Sequence, residues 1–171
     1  MAAENRPQDP YPLDEGSWAY LIGAESDRGV ADLLRDQVIE TCEERGWPAV
    51  SSSSAAGAGP VDPGRFFEGV SHSVAHADFV VALLGVASGA ADGELAMAYG
   101  HRRPVVGIRF SSESSPASET ETEAMLEDYD RARVIACDDL EECAVGLREV
   151  LSDPDFVATI HTAAGEWAGH A

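Results

Sequence analysis

Two apolar runs constrain this chain more than any other feature: Phe79-Val-Val-Ala-Leu-Leu84 and Pro104-Val-Val-Gly-Ile-Arg-Phe110. Both lack the polar alternation of a strand with one face in water. Near-continuous apolar strands belong to parallel sheets covered by helices on both faces. The first run leads into a small-residue loop over 85–91 and a helix over about 92–101, and the second run follows. Strand, crossover helix and strand in that order form a right-handed unit.

The remaining elements continue the alternation. Trp18-Ala-Tyr-Leu-Ile-Gly23 reads as a first strand ending in a glycine turn. Ser26 or Asp27 can cap a helix running to about Arg45, with Val30, Leu33, Leu34, Val38 and Cys42 on its apolar face and Gly46 stopping it. A weaker strand follows from Trp47 to about Ser51, and then a serine-, alanine- and glycine-rich loop to Gly59. Pro63 or Gly64 opens a helix carrying Phe66, Phe67, Val70 and Val74. Beyond a polar loop at 111–118 come a short acidic helix (about 119–129) and a fifth strand, Arg133-Val-Ile-Ala136. Asp138 or Asp139 caps a further helix through Leu140, Val145, Leu147, Val150 and Leu151. The expected fold is a single-domain α/β protein of flavodoxin/Rossmann type. Its five-stranded parallel sheet, ordered 2-1-3-4-5, has helices on both faces.

Residues 1–16, with Pro7, Pro10 and Pro12, read as a flexible leader, 17–152 as the α/β domain and 153–171 as a C-terminal helical tail. The tail sets Phe156, Val157, Ile160, Ala164 and Trp167 at helical spacing. It can cover its own domain or a neighbouring subunit, and a homo-oligomer (dimer or higher) is expected.

Composition excludes several functions. All 11 basic residues are arginine, against 31 acids, for a net charge of −20. That balance makes a nucleic acid polymer an improbable partner. The absence of lysine removes Schiff-base chemistry, a P-loop lysine and a lysine base. Cys42, Cys137 and Cys143 are dispersed in apolar contexts and read as reduced core residues. No apolar leader or bilayer-length segment is visible, so a cytoplasmic protein without membrane contact is expected. His72 and His76 stand i, i+4 on one helix but lack a motif-placed third ligand, so neither a metal nor a cofactor is expected.

Glu94 is the main candidate for chemistry. It stands near the start of the helix that follows the 79–84 strand, where open α/β sheets bind ligands. A glutamate there also complements the helix dipole, and position alone does not separate the two roles.

Asp78-Phe-Val-Val-Ala82, Glu94-Leu-Ala-Met-Ala98, Arg103-Pro-Val105 and Tyr20-Leu-Ile-Gly23-Ala24 together resemble the nucleoside 2-deoxyribosyltransferase family and its relatives, the nucleoside 5'-monophosphate N-glycosidases. The resemblance spans about residues 18–152 and is concentrated in some 40 of them. It implies that Glu94 attacks the anomeric carbon, as the nucleophile of a retaining glycosidase does. It further implies that Asp78 handles the leaving base and that Tyr20 orients the nucleophile. As alternatives, an aspartate at a strand start often caps loop amides, and a first-strand tyrosine often packs as core.

Gly23, Ser88, Gly89 and Ala90 would line the substrate site, with Arg28 a candidate phosphate partner. Ser88 matches the serine of the monophosphate glycosidases, where the transferases carry aspartate. Ala90 replaces a family glycine, and Ser26 occupies the position of a glycosidase arginine. The expected function is hydrolysis of a nucleoside 5'-monophosphate to free base and sugar phosphate, with a nucleotide or nucleoside as the small-molecule partner. Deoxyribosyl transfer between bases, a non-catalytic nucleotide-binding or assembly module, and a TIR-like NAD-cleaving domain are the alternatives.

Overall fold

The computed structural model describes residues 17–23, 29–51, 63–84, 89–110 and 121–168. The expected leader, the Ser26 or Asp27 cap, and most of the loops after Ser51 and Phe110 lie outside them. Five strands are described: β1 (Ala19–Ile22), β2 (Ala49–Ser51), β3 (Phe79–Leu84), β4 (Val105–Phe110) and β5 (Ala132–Cys137). The helices are α1 (Val30–Glu44), α2 (Pro63–His76), α3 (Gly89–Gly100), α4 (Glu121–Asp128), α5 (Leu140–Ser152) and α6 (Pro154–Ala168).

All strand pairs are parallel and the order is β2-β1-β3-β4-β5. The five-stranded flavodoxin/Rossmann-like α/β fold expected from the sequence is therefore observed. Its apolar runs occupy the centre, where β3 is buried along its whole length.

Successive side chains of a strand point to opposite faces, so each central strand feeds two cores. Leu21, Phe79, Val81, Leu83, Val106 and Ile108 pack under α1, α5 and α6. Tyr20, Ile22, Val80, Ala82, Leu84 and Val105 pack under α2, α3 and α4. The C-terminal helix belongs to the first core. Phe156 is fully buried and meets Phe79 edge-on, with ring centroids 6.4 Å apart. Arg131 pairs with Glu166 through two 3.0 Å hydrogen bonds and so fastens the end of α6 to the start of β5.

Helix boundaries follow local chemistry. Asp139 caps α5 by accepting from the Glu142 N–H at 2.8 Å, and the Glu142 carboxylate accepts from the Asp138 N–H at 2.9 Å. This reciprocal arrangement satisfies donors that a helix start otherwise leaves unpaired. The three cysteines are buried free thiols. Burial pushes Cys42 and Cys143 up to about 12, too high for appreciable thiolate at neutral pH.

Candidate functional site

The strand order reverses between β1 and β3, and a doubly wound sheet opens its ligand crevice beyond the carboxyl ends at such a point. Gly23 ends β1 there with φ of 88°. A Cβ on it would lie 2.9 Å from the Leu83 carbonyl oxygen, so both the backbone angle and the close approach to β3 require glycine.

From the carboxyl end of β3 the chain passes through 85–88, outside the described residues, and enters α3. That helix begins at Gly89 rather than near 92. Ala90 and Ala91, read from the sequence as loop, are strong helix formers and extend it toward the strand. Glu94 consequently lies in the second turn, and Asp92 is the first-turn acid. Dipole effects fade beyond the first turn, so dipole complementation explains Asp92 better than Glu94.

Glu94 is 5% exposed. It shares one face of α3 with Ala91, Leu95 and Ala98, all buried against the sheet. Withdrawing a carboxylate from water costs several kcal/mol before its partners compensate. Tyr20 projects from the middle of β1 into the layer that this face covers, and it is completely buried.

Asp78 does not join this group. It immediately precedes β3, and the six residues of that strand, about 20 Å at 3.3 Å per residue, separate it from the carboxyl end. Its Oδ2 accepts from the Trp18 N–H at 3.0 Å, while its own N–H donates to the Trp18 carbonyl at 2.9 Å. Burial pushes its carboxyl above the ordinary range, opposed by hydrogen bonds from Ser17 and Trp18 and by the field of Arg103. The expectation that Asp78 shares the Glu94 crevice is thus corrected: Asp78 fastens β1 to β3 at the amino end of the sheet. The sequence carried the signal, because a residue preceding a parallel strand lies opposite that strand's carboxyl end.

The amino end carries a polar network that the sequence did not reveal. Arg103 is buried and donates to the Ala77 carbonyl, Tyr129 donates to the Arg103 carbonyl, and Arg131 donates to the Arg102 carbonyl. These bonds close the turns that enter β4 and β5. His101 is linked to Ser71 at 3.4 Å and joins α3 to α2. The rings of His72 and His76 lie 3.9 Å apart between centroids, and His76 Nδ1 is 2.8 Å from the His72 carbonyl. Among the described residues no group of three or more histidine, cysteine or acidic side chains could hold a metal ion. No helix among them is long and apolar enough to cross a membrane. Ser88 and Arg28 lie outside the described residues, and Gly89 and Ala90 form the first two positions of α3.

The described architecture defines the class as an open five-stranded parallel α/β fold with a buried glutamate beside its switch point. Among solved structures, the CMP N-glycosidase BcmB of Clostridium botulinum superposes with a TM-score of 0.57, covering 77% of this chain and 98% of that one at 14% identity. At that identity the likeness shows a shared fold alone. A conserved protein of Enterococcus faecalis V583 aligns over 86% of this chain and 99% of its own, at 18% identity and a TM-score of 0.46. No family model and no curated protein matches the sequence.

Proposed function

We propose that the protein hydrolyses the N-glycosidic bond of a nucleoside 5'-monophosphate, with Glu94 as the nucleophile. The observation that carries this reading is the burial of Glu94 on the apolar face of α3, beside the switch point of the sheet. The fold shared with a CMP N-glycosidase supports it. The carboxylate would attack the anomeric carbon as the base departs, giving a glycosyl ester that water then opens. Tyr20, in the layer beneath, is proposed to hold the carboxylate's orientation. Gly23 and the amides at Gly89 and Ala90 are proposed to border the substrate. Ser88, which precedes the start of α3 in sequence, and Arg28 are the proposed phosphate contacts, since helix starts favour anions.

The test is incubation with nucleoside 5'-monophosphates and the matching nucleosides, following free base by chromatography. Base release from a monophosphate, at a rate well above that from its nucleoside, is the expected result. Release from the nucleoside alone, or base exchange without net hydrolysis, would overturn the assignment. The position of Asp78 favours one second reading. It leaves leaving-group protonation without the acid the sequence suggested, as a nucleotide-binding module that does no chemistry would.

A further inference from the structure

We infer that the open edge of β5 and the groove beside it form a docking site for an extended basic segment of a partner protein, taken up by strand addition. The inference is independent of the proposed glycosidase activity. β5 is an edge strand, with β4 on one side only. The Val105 N–H donates to the Arg131 carbonyl, and hydrogen bonding alternates along a parallel ladder. Arg133, Ile135 and Cys137 therefore turn their backbone groups to β4, whereas Val134 and Ala136 turn theirs outward. Ala132 also faces outward, but its N–H is bonded to the Tyr129 carbonyl and its own carbonyl accepts from the Arg133 guanidinium at 2.9 Å. The available edge is thus the Val134–Ala136 stretch. Among the described residues nothing covers it, and Val134 is 40% exposed.

Exposed strand edges are normally blunted by short length, proline, inward charge or a covering element. This one is short, with outward groups at Val134 and Ala136, but it carries no proline and borders a groove of about 700 Å³ between β5 and α5, whose wall includes Val145, Gly146 and Val150. Val145 is 45% exposed although it faces this groove. Edge donors and acceptors beside an apolar wall are what an added strand requires: the backbone supplies affinity and alternate side chains supply specificity.

Charge selects the occupant. Glu142 and Glu149 line the groove, with Asp139 and Glu141 at one end. The neighbouring cations are engaged elsewhere: Arg148 pairs with Glu44 at 3.0 Å, and Arg133 lies over the Phe156 ring. A second copy would bring a second set of these acids against the first, on a chain already at −20. A basic segment is complementary. Seven helical residues place Glu142 and Glu149 about 10 Å apart along α5, the span of about three residues of strand. Side chains on one face of a strand recur every second residue, so the same-face spacing that brackets this distance is four residues, about 13 Å. The long, flexible side chains of arginine or lysine take up the difference of about 3 Å, and the fitting segment has an apolar residue flanked two positions away on each side by one of them.

The probe is the capped peptide Thr-Arg-Thr-Val-Thr-Arg-Thr, with a counterpart carrying glutamate for both arginines, added to the full chain while amide exchange is followed by NMR. The Val134 and Ala136 amides are expected to exchange quickly in the free protein and to become protected with the basic peptide only. Val134→Pro removes one outward donor without breaking the β4 ladder, since proline is accepted where its nitrogen faces away from the neighbouring strand. It should weaken binding at least tenfold. Val145→Arg, at an exposed position, should do the same by repulsion and provides the test if the proline variant fails to fold. Equal binding of both peptides, binding of neither, or indifference to Val145→Arg would overturn the inference. So would protection of Val134 and Ala136 that is already present in the free protein and disappears on dilution, because a second copy would then hold the edge.

Discussion

Glu94 and Asp78 are carboxylates close in sequence to the same strand, and their surroundings assign them different work. Glu94 is buried on a helix face it shares with Ala91, Leu95 and Ala98. Asp78 accepts from the Trp18 N–H, and that bond is its use. Asp78→Asn keeps an acceptor at the position and should leave any base release within a few-fold of the parent. Asp78→Ala orphans the Trp18 N–H and should cost about 1–3 kcal/mol in denaturant unfolding. Because burial raises the Asp78 pKa in the folded state, the fold binds this proton more tightly than the unfolded chain does. Its contribution is thus fully present below the unfolded value near 3.8 and declines as pH rises through the higher folded value. Asp78→Asn should flatten that part of a stability–pH profile, and an unchanged slope would count against the assignment. The sequence identified both residues as candidates, yet it could not show that one helix begins at Gly89 and buries Glu94.

At the scale of elements, two glycines allow close packing and differ in what a side chain there would meet. A Cβ on Gly146 would fall 2.7 Å from Ile135 Cγ2, a methyl fixed close to the β5 backbone. Gly146→Ala should push α5 off the sheet and cost about 1–3 kcal/mol, measured by denaturant titration. A Cβ on Gly107 would meet Leu84 Cδ1 at 2.9 Å, the far end of a side chain that can turn aside, so Gly107→Ala should cost less. Phe156→Ala should cost about 3–5 kcal/mol, because the ring is fully buried in the core that α6 completes. A loss below 1 kcal/mol would show that α6 is dispensable to the fold. Periodicity revealed the apolar stripe of this helix but not what the stripe covers. The Phe79–Phe156 contact, between residues far apart in sequence, answers that.

For the whole molecule, the sheet order was legible because unbroken apolar runs alternate with amphipathic helices, a pattern that few topologies satisfy. The amino-end network was not legible, since Arg103, Tyr129, Arg131 and Glu166 meet only after β4, β5 and α6 are in place. A net charge of −20 on 171 residues means self-repulsion in the compact state, which salt screens within a Debye length of about 3 Å at 1 M. Thermal stability should therefore rise between 0.1 and 1 M potassium chloride, and a fall would mean that specific ion pairs outweigh the net repulsion. The central claim of the proposed function is that one buried carboxylate, Glu94, attacks a sugar carbon. The most direct measurement is the rate of base release by Glu94→Gln on the best nucleoside 5'-monophosphate, with folding checked by circular dichroism. The amide keeps the volume but cannot form the ester, so a loss of several orders of magnitude is expected in a folded variant. Turnover within a few-fold of the parent would contradict the account.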